Sequence, residues 1–303
     1  MAKAREIKKR MKAVGNIRRI TKTMQMIATS KFAKAQQRAT ASKPYVEGIF
    51  ELVTELASKA GNITHPLIAG PEGGKTKPGA KPVLLLITSD RGLCGPYNAS
   101  ILRAFFRTLK EEGGGGGSVA EKFNVEIVGR KGVGTLTYNK IATTRTHQFG
   151  DTPRYEEIER LAQQYMDQFT RGEITSVKIV SMRFISTARQ RPEVMQLLPL
   201  KAPASTGAGA AEAKKGPTVQ YDFTPPPEQL LADLLPATVK ATLYQVFNDA
   251  IVSEHVARMI AMKSATDAAG KMGKLLNRRY NRARQSQITT ELTEIISGAA
   301  ALE

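Results

Sequence analysis

The sequence IKKRMKAVGNIRRITKTMQMI, residues 7–27, repeats apolar residues at mostly three- and four-residue steps within a basic segment. Side chains at these steps lie on one face of an α-helix. The apolar stripe consists of Ile7, Met11, Val14, Ile17, Met24 and Ile27. We therefore predict one long N-terminal helix over residues 1–60.

A second stripe of the same kind lies at the other end of the chain, where residues 228–303 are predicted as another helix. Its apolar positions are Val239, Leu243, Val246, Val256, Met259, Met272, Leu276, Tyr280 and Ala283. At about 1.5 Å per residue the two helices would be roughly 90 and 105 Å long. Helices at opposite ends of a sequence can each cover a stripe by packing on each other. We expect a long antiparallel coiled coil of the N- and C-terminal helices, shaped like a shaft.

The middle of the chain, residues 61–227, is predicted to be a central α/β (Rossmann-like) domain. PVLLLITSD, residues 82–90, is an apolar run ending in polar residues, which is typical of a strand buried on both faces. The alternation of strands with helices favours a mainly parallel sheet. Strands are predicted at 82–90, 123–129, near 143–149, and at 177–184 and 193–200, and helices at 98–110, near 131–138 and at 155–171.

Two further features of the middle domain concern its connections. The last two strands are expected to form a hairpin through residues 187–191. Segments rich in Gly, Pro, Ala or Lys near residues 70–80, 113–117 and 202–217 are expected to be disordered insertions.

The net charge of +18 is concentrated toward the free ends of the two helices. Residues 1–43 contain thirteen Lys or Arg against the single acid Glu6, and residues 271–284 contain six Lys or Arg and no acid. This positive sleeve fits a solvated face, or a surface for nucleic acid, anionic lipid or an acidic protein lining. Residues 285–303 instead hold three acids, no Lys or Arg, and an apolar tail. An apolar tip favours a protein socket over a nucleic-acid clamp.

Motifs of nucleotide-dependent enzymes do not occur in the sequence. SDRGLCGPYN, residues 89–98, has the wrong glycine spacing for a dinucleotide fingerprint, GRKGVG, residues 129–134, is inverted, and no Walker-type GxxxxGK[ST] is present. The three histidines are widely scattered and Cys94 is the only cysteine, which gives no support to a metal site, a catalytic pair or a disulfide. No cofactor is therefore expected, and no run of about 18 apolar residues predicts a transmembrane helix.

The loop after the first strand places Asp90, Arg91 and Cys94 close together, where ligands of α/β proteins often bind. We favour a simpler interpretation. Gly92 and Gly95 shape a turn, and Cys94 packs as a small apolar residue.

Three segments resemble the signature regions of the gamma subunit of the rotary proton-translocating ATP synthase. They are MKAVGNIRRITKTMQMIATSK (11–31), TSDRGLCGPYN (88–98) and NRARQSQITTELTEIISGAAAL (281–302), in the same order and at fitting separations. The resemblance implies a non-catalytic central-stalk rotor subunit that couples ion flow through the membrane ring of c subunits to conformational cycling of the catalytic beta subunits. The implied partners are the alpha and beta subunits of the hexamer, the epsilon subunit and the c ring, with no nucleic acid.

The resemblance also implies roles for individual residues. Met24 matches a position that influences coupling and faces an acidic segment of beta, and seam packing is its simpler role. Polar contacts to beta loops are implied for Arg284, Gln285, Thr289 and Glu291, which would otherwise be ordinary exposed helix residues. The implied bearing tip comprises Ile295, Ile296, Ala299 and Ala300, and the implied contacts to the c ring and epsilon are Tyr221 and Phe223.

The basic N-terminus bears on localisation, since an amphipathic basic start is also typical of a mitochondrial transit peptide. Here the first serine is Ser30, and the apolar stripe continues into the rest of the helix. We therefore expect a bacterial protein, peripheral on the cytoplasmic face of the plasma membrane. A basic coiled-coil nucleic-acid-binding protein is the alternative.

Overall fold

The computed structural model describes residues 2–59, 65–70, 76–113, 122–200 and 227–300. Tyr221 and Phe223 lie outside these ranges, as do residues 71–75, 114–117 and 202–217 of the predicted insertions. In chain order the elements are α1 (Ala2–Lys59), α2 (Pro66–Ala69), β1 (Lys81–Ile87), α3 (Tyr97–Gly113), β2 (Asn124–Val128), α4 (Arg130–Tyr138), β3 (Arg145–His147), α5 (Tyr155–Thr170), β4 (Ile174–Phe184), β5 (Gln190–Leu198) and α6 (Pro227–Ala300).

The predicted fold class is confirmed, because long N- and C-terminal helices precede and follow a central sheet with helices between its strands. α1 has 58 residues and α6 has 74. Helices of this length are far above the globular average of about 11 to 12 residues. Unlike the prediction, the connection after α1 contains a short helix, α2, whose Leu67 N–H is capped by His65 Nδ1.

The sheet has five strands in the order β3-β2-β1-β4-β5. β1 pairs in parallel with both β2 and β4, and β2 pairs in parallel with β3. β5 runs antiparallel to β4, so the predicted hairpin is confirmed. In the central strand Leu84, Leu85 and Leu86 are fully buried, as the continuous apolar run predicts.

Contacts divide the chain into two compact units. The helix-pair unit comprises Met1–Lys31, Leu93–Gly95 and His255–Glu303, and the α/β unit comprises Phe32–Gly92 and Pro96–Glu254. α1 and α6 each contribute one part of their length to each unit.

The core of the α/β unit joins one sheet face to helices from distant parts of the sequence. Leu85 of β1 belongs to a cluster that also contains Tyr165 of α5, Ile49 of α1 and Leu235 of α6. Neighbouring residues of a strand point to opposite faces, so Leu84 and Leu86 lie on the other side of the sheet. The C-terminal part of α1 and the N-terminal part of α6 therefore fold as part of the α/β core.

Candidate partner-binding surface

Small residues line part of the seam of the helix-pair unit. Thr21 and Ala28 of α1 are buried, and the Thr266 hydroxyl of α6 donates to the Thr21 hydroxyl at 2.9 Å. A Cβ added at Gly270 would lie 3.6 Å from Arg18 Nε. Arg18 lies beside Gly270, and Thr21 lies opposite Thr266. Residue numbers rise along α1 as they fall along α6, so the two helices run antiparallel in this unit.

Several residues predicted for the seam are not buried. Ile17 and Ile27 are 51% and 52% exposed, and Met272 is 54% exposed. The short side chains at Thr21, Ala28 and Thr266 explain this, because two threonine hydroxyls in contact require the helix backbones to approach closely. Ile17, Ile27 and Met272 lie at the flanks of the seam, whereas the larger apolar side chains of Val256, Met262 and Leu276 are buried.

The outer surface of this unit combines charges with large apolar side chains. Its exposed apolar residues include Ile20, Met26, Ile260, Leu275, Ile288 and Leu292. The outer face of the helix pair is therefore not purely polar.

The predicted contact residues differ in burial. Met24 is half-buried, whereas Arg284, Gln285, Thr289 and Glu291 are exposed on α6. Thr289 donates its hydroxyl to the Gln285 carbonyl at 3.0 Å, and Glu291 accepts from Gln287 at 2.8 Å. Both bonds lie within one helix, so these side chains are oriented by their own helix.

The four polar residues do not form one cluster. A helix turns about 100° per residue, which places Arg284 and Glu291 on nearly the same side, and Gln285 and Thr289 further around. Glu291 lines a cleft of about 950 Å³ between the start of α1 and α6, together with Ile7 of α1.

The tip of α6 is exposed in the chain by itself. Ile295 and Ile296 are 69% and 59% exposed, and Ala299 is exposed as well. Ala300 is the last residue of α6.

Two apolar residues of this surface were missed by the sequence analysis. Ile288 and Leu292 are 55% and 56% exposed. With Arg284 and Ile295 they follow steps of four, four and three residues, which is the spacing of one helical face. This spacing is the sequence pattern from which the two residues could have been predicted. The last part of α6 therefore carries an apolar stripe with polar residues beside it.

In the α/β unit, the N-terminus of α4 has its first amide groups occupied by the protein. The N–H groups of Arg130, Lys131 and Gly132 donate to Asp90 Oδ1, the Ser89 carbonyl and Thr88 Oγ1 at 3.2, 3.1 and 3.0 Å. These amides are the groups with which a helix N-terminus binds phosphate. Here they serve to hold the loop after β1 against α4.

The cavity at the carboxyl ends of β1 and β2 has a volume of only about 30 Å³. Pockets for small-molecule ligands usually measure about 300 to 1,000 Å³. In the adjacent loop Cys94 is 2% exposed and Gly95 has a φ of 57°, as expected of a turn with a packed cysteine. The side chains at this end of the sheet therefore fill the space in which a ligand would bind.

A polar network lies inside the α/β unit. Glu126 of β2 is 3% exposed, and its Oε2 accepts from the Tyr165 hydroxyl and from His147 Nε2, each at 2.7 Å. Burial alone would raise the pKa of Glu126, but the hydrogen bonds from His147 and Tyr165, with the nearby charge of Arg145, lower it below its usual value. Burial, and then the Glu126 carboxylate, raise the pKa of Tyr165 well above its usual value.

Comparison with known proteins gives a full-length match to one family. The family described as ATP synthase matches residues 3–302. The chain is 41% identical to the ATP synthase gamma chain of Rhodopirellula baltica and 38% identical to that of Leptospira biflexa, in each case over 100% of both chains.

Solved structures agree with the fold. A chain from the OSCP/F1/c-ring structure of Euglena gracilis mitochondrial ATP synthase superposes with a TM-score of 0.65 at 16% identity, covering 99% of this chain and 95% of that one. A chain from the central stalk/c-ring structure of the Tetrahymena thermophila mitochondrial enzyme gives 0.57 at 20% identity, covering 81% and 99%. Neither result supports the nucleic-acid alternative.

Within the described residues, every helix is too short or too polar to span a bilayer.

Proposed function

The chain belongs to the gamma-subunit family of the ATP synthases, and we propose that its helix-pair unit turns within a hexamer of alternating alpha and beta subunits. It is a non-catalytic central-stalk subunit of the rotor, and the family's functions are ATP synthesis and ion transport. The rotor acts by favouring a different conformation at each of three catalytic sites in turn, which requires contacts that differ from one side of the stalk to another.

The observation that carries this proposal is the exposed apolar stripe near the end of α6, in a segment that contains no Lys or Arg. Ile288, Leu292 and Ile295 are each more than half exposed. Burying one such side chain stabilises an assembly by about 1.5 to 3 kcal/mol. A surface of this kind fits a protein lining better than it fits nucleic acid or bulk water.

The polar residues beside the stripe are proposed to contact beta loops. Arg284 has no ion pair within the described residues, so its charge is available to a carboxylate of a partner. Gln285, Thr289 and Glu291 add hydrogen-bonding groups on two sides of the helix. At the end of α6, Ile295, Ile296, Ala299 and Ala300 are proposed as the bearing tip, where small and apolar side chains permit rotation.

The remaining contacts are proposed for the other partners. Tyr221 and Phe223 are assigned to the c ring and the epsilon subunit on the strength of the family alone. The chain is part of a membrane-associated complex. We place it on the cytoplasmic face of a bacterial plasma membrane, because the most similar relatives named above are bacterial.

Co-purification tests the proposed assembly. The tagged full chain, expressed with the alpha and beta subunits from its own genome, should elute with both as one complex. Its affinity for duplex DNA should be low at physiological salt. Elution without alpha and beta, together with DNA affinity that falls log-linearly with salt, would instead favour the nucleic-acid alternative.

Met24 provides a test of coupling. Met24→Lys places a cation beside the proposed acidic beta segment, where a partly buried pair can contribute a few kcal/mol. We expect less proton pumping per ATP hydrolysed in membrane vesicles, with nucleotide binding unchanged. Met24→Leu, which keeps an apolar side chain, is the control, and normal pumping by the Lys variant would remove Met24 from the contact surface.

A further inference from the structure

A cleft of about 700 Å³ in the α/β unit is lined by residues of three helices. Arg38 of α1 and Tyr244 of α6 line it together with Arg154, Tyr155 and Arg160, which lie at or near the start of α5. Sites for small molecules usually measure about 300 to 1,000 Å³. This arginine cleft is therefore large enough to hold a ligand, unlike the cavity at the carboxyl ends of β1 and β2.

Arg38 is the residue of the cleft wall whose hydrogen bonding is incomplete. Its side chain is half-buried, and its Nε atom is buried without a hydrogen-bond partner in the described part of the chain. Buried N–H groups normally have a partner, because leaving one unsatisfied costs free energy. A guanidinium group in this state on a cleft wall points to an acceptor supplied from outside the chain.

The charge of the arginine cleft favours an anion. Within the described residues, Arg38, Arg154 and Arg160 form no ion pair. The cleft also contains Glu156 and Glu157, so three positive charges stand against two negative ones. The Arg154 N–H already donates to Glu157 Oε2 at 3.3 Å, which orients that carboxylate toward the start of its own helix. Guanidinium groups bind phosphate oxygens through paired hydrogen bonds, so the unpaired arginines suit a phosphate group.

Two tyrosines add an aromatic wall to the cleft. The ring centroids of Tyr155 and Tyr244 are 5.3 Å apart and the rings lie at 80° to each other, an edge-to-face contact that orients both. Tyr155 is also 40% exposed, which leaves part of its ring accessible to a ligand. Nucleic acid bases stack on accessible aromatic side chains. An accessible ring beside unpaired arginines fits a nucleoside phosphate better than it fits inorganic phosphate.

We propose that the arginine cleft binds a nucleoside phosphate, with Arg38, Arg154 and Arg160 on the phosphates and Tyr155 against the base. This inference goes beyond the proposed function and does not depend on it, because every residue that it uses lies in the α/β unit.

Isothermal titration of the full chain, without other subunits, tests the site. ADP is the probe, and inorganic phosphate and phosphatidylglycerol vesicles are the comparison ligands. Arg160→Gln and Arg154→Gln each remove an exposed cation from the cleft, and Tyr155→Leu removes the ring. Arg171→Gln is the matched control, because Arg171 is exposed at the other end of α5. Thermal unfolding of each variant verifies that it is folded.

We expect one ADP bound per chain, with affinity about tenfold lower in Arg160→Gln and in Arg154→Gln and unchanged in Arg171→Gln. Tyr155→Leu should weaken the binding of ADP and leave the weaker binding of inorganic phosphate unchanged.

The inference would be overturned by an unsubstituted chain that shows no saturable binding of ADP. Equal losses of affinity in Arg160→Gln and Arg171→Gln would also overturn it, because the effect would then come from net charge. Binding of inorganic phosphate or of the vesicles as tight as that of ADP would do the same, since the base would then contribute nothing.

Discussion

The Glu126 network of the α/β unit buries and bonds its polar groups, whereas the end of α6 in the helix-pair unit exposes apolar side chains. In the α/β unit even the carboxylate of Glu126 is buried and satisfied, and the amides at the start of α4 are bonded within the chain. In the helix-pair unit Ile288, Leu292 and Ile295 are exposed, and Arg284 is unpaired within the described residues. The Glu126 network and the bonded amides of α4 need no partner, whereas the end of α6 presents groups suited to one.

This contrast predicts where substitutions act. Changes inside the α/β unit should lower the free energy of unfolding, while changes on the surface of the helix-pair unit should spare stability and affect coupling. The three predictions that follow test this division, from the largest expected effect to the smallest.

Gly129→Ala should be the most damaging change. Gly129 has a φ of 94°, and an added Cβ would lie 2.2 Å from the Thr88 carbonyl oxygen. The clash is with backbone, so the loop after β1 must move, and we expect a loss of about 4 kcal/mol or more in the free energy of unfolding. Urea unfolding followed by circular dichroism measures the loss.

Gly134→Ala is the control for that variant. Gly134 lies inside α4, the helix that Gly129 precedes, and a Cβ added at Gly134 meets nothing within 4 Å. Alanine in a helix is favoured over glycine by about 1 kcal/mol, so this variant should be slightly more stable. Equal stabilities of the two variants would contradict the packing described at Gly129.

Glu126→Gln should have an intermediate and pH-dependent effect. At neutral pH we expect a loss of about 2 to 3 kcal/mol, because hydrogen bonds to a charged carboxylate are replaced by bonds to an amide. The pKa of Glu126 is lowered in the folded chain, so its stabilisation is present above the unfolded pKa and is lost as pH falls through the folded pKa. The stability difference between Glu126→Gln and the unsubstituted chain should therefore shrink below about pH 4.

The exposed Glu111 provides the comparison for this measurement. Glu111→Gln should follow the unsubstituted chain closely at all pH values, within about 0.5 kcal/mol. A stability gap for Glu126→Gln that stays constant between pH 7 and pH 3 would show that the carboxylate charge does not stabilise the network.

Replacing Arg284 and Gln285 together by Ala should change stability least. Both side chains are exposed, so the free energy of unfolding should stay within about 0.5 kcal/mol. ATP synthesis by the reassembled complex should fall, because the proposed contacts to beta are removed. Normal synthesis by the double variant would make both residues ordinary solvent-exposed positions, and Lys271→Ala serves as a control for loss of a surface charge.

Local pattern was enough to predict the main helices and all five strands, because each depends on periodicity within a short segment. The seam was harder, because burial of Ile17 or Thr21 depends on how closely a helix some 245 positions away approaches. The Glu126 network was missed for the same reason. Its partners His147 and Tyr165 lie 21 and 39 positions away, and no short motif joins them.

The loop after β1 shows a different limit. The turn and the packed cysteine were predicted, but the left-handed residue is Leu93 as well as Gly95. Sequence rules assign such backbone to glycine. The proposed contact residues Arg284, Gln285, Thr289 and Glu291 came from resemblance, and the structure shows that Ile288 and Leu292 are exposed on the same stretch of α6.

The bonded amides at the start of α4 have a consequence for a subunit of a complex that binds nucleotides. Free amides at this position could bind the phosphates of ATP or ADP. Thr88, Ser89 and Asp90 accept hydrogen bonds from those amides within the chain. The start of α4 is thereby closed to nucleotide phosphates and does not take them from the catalytic subunits.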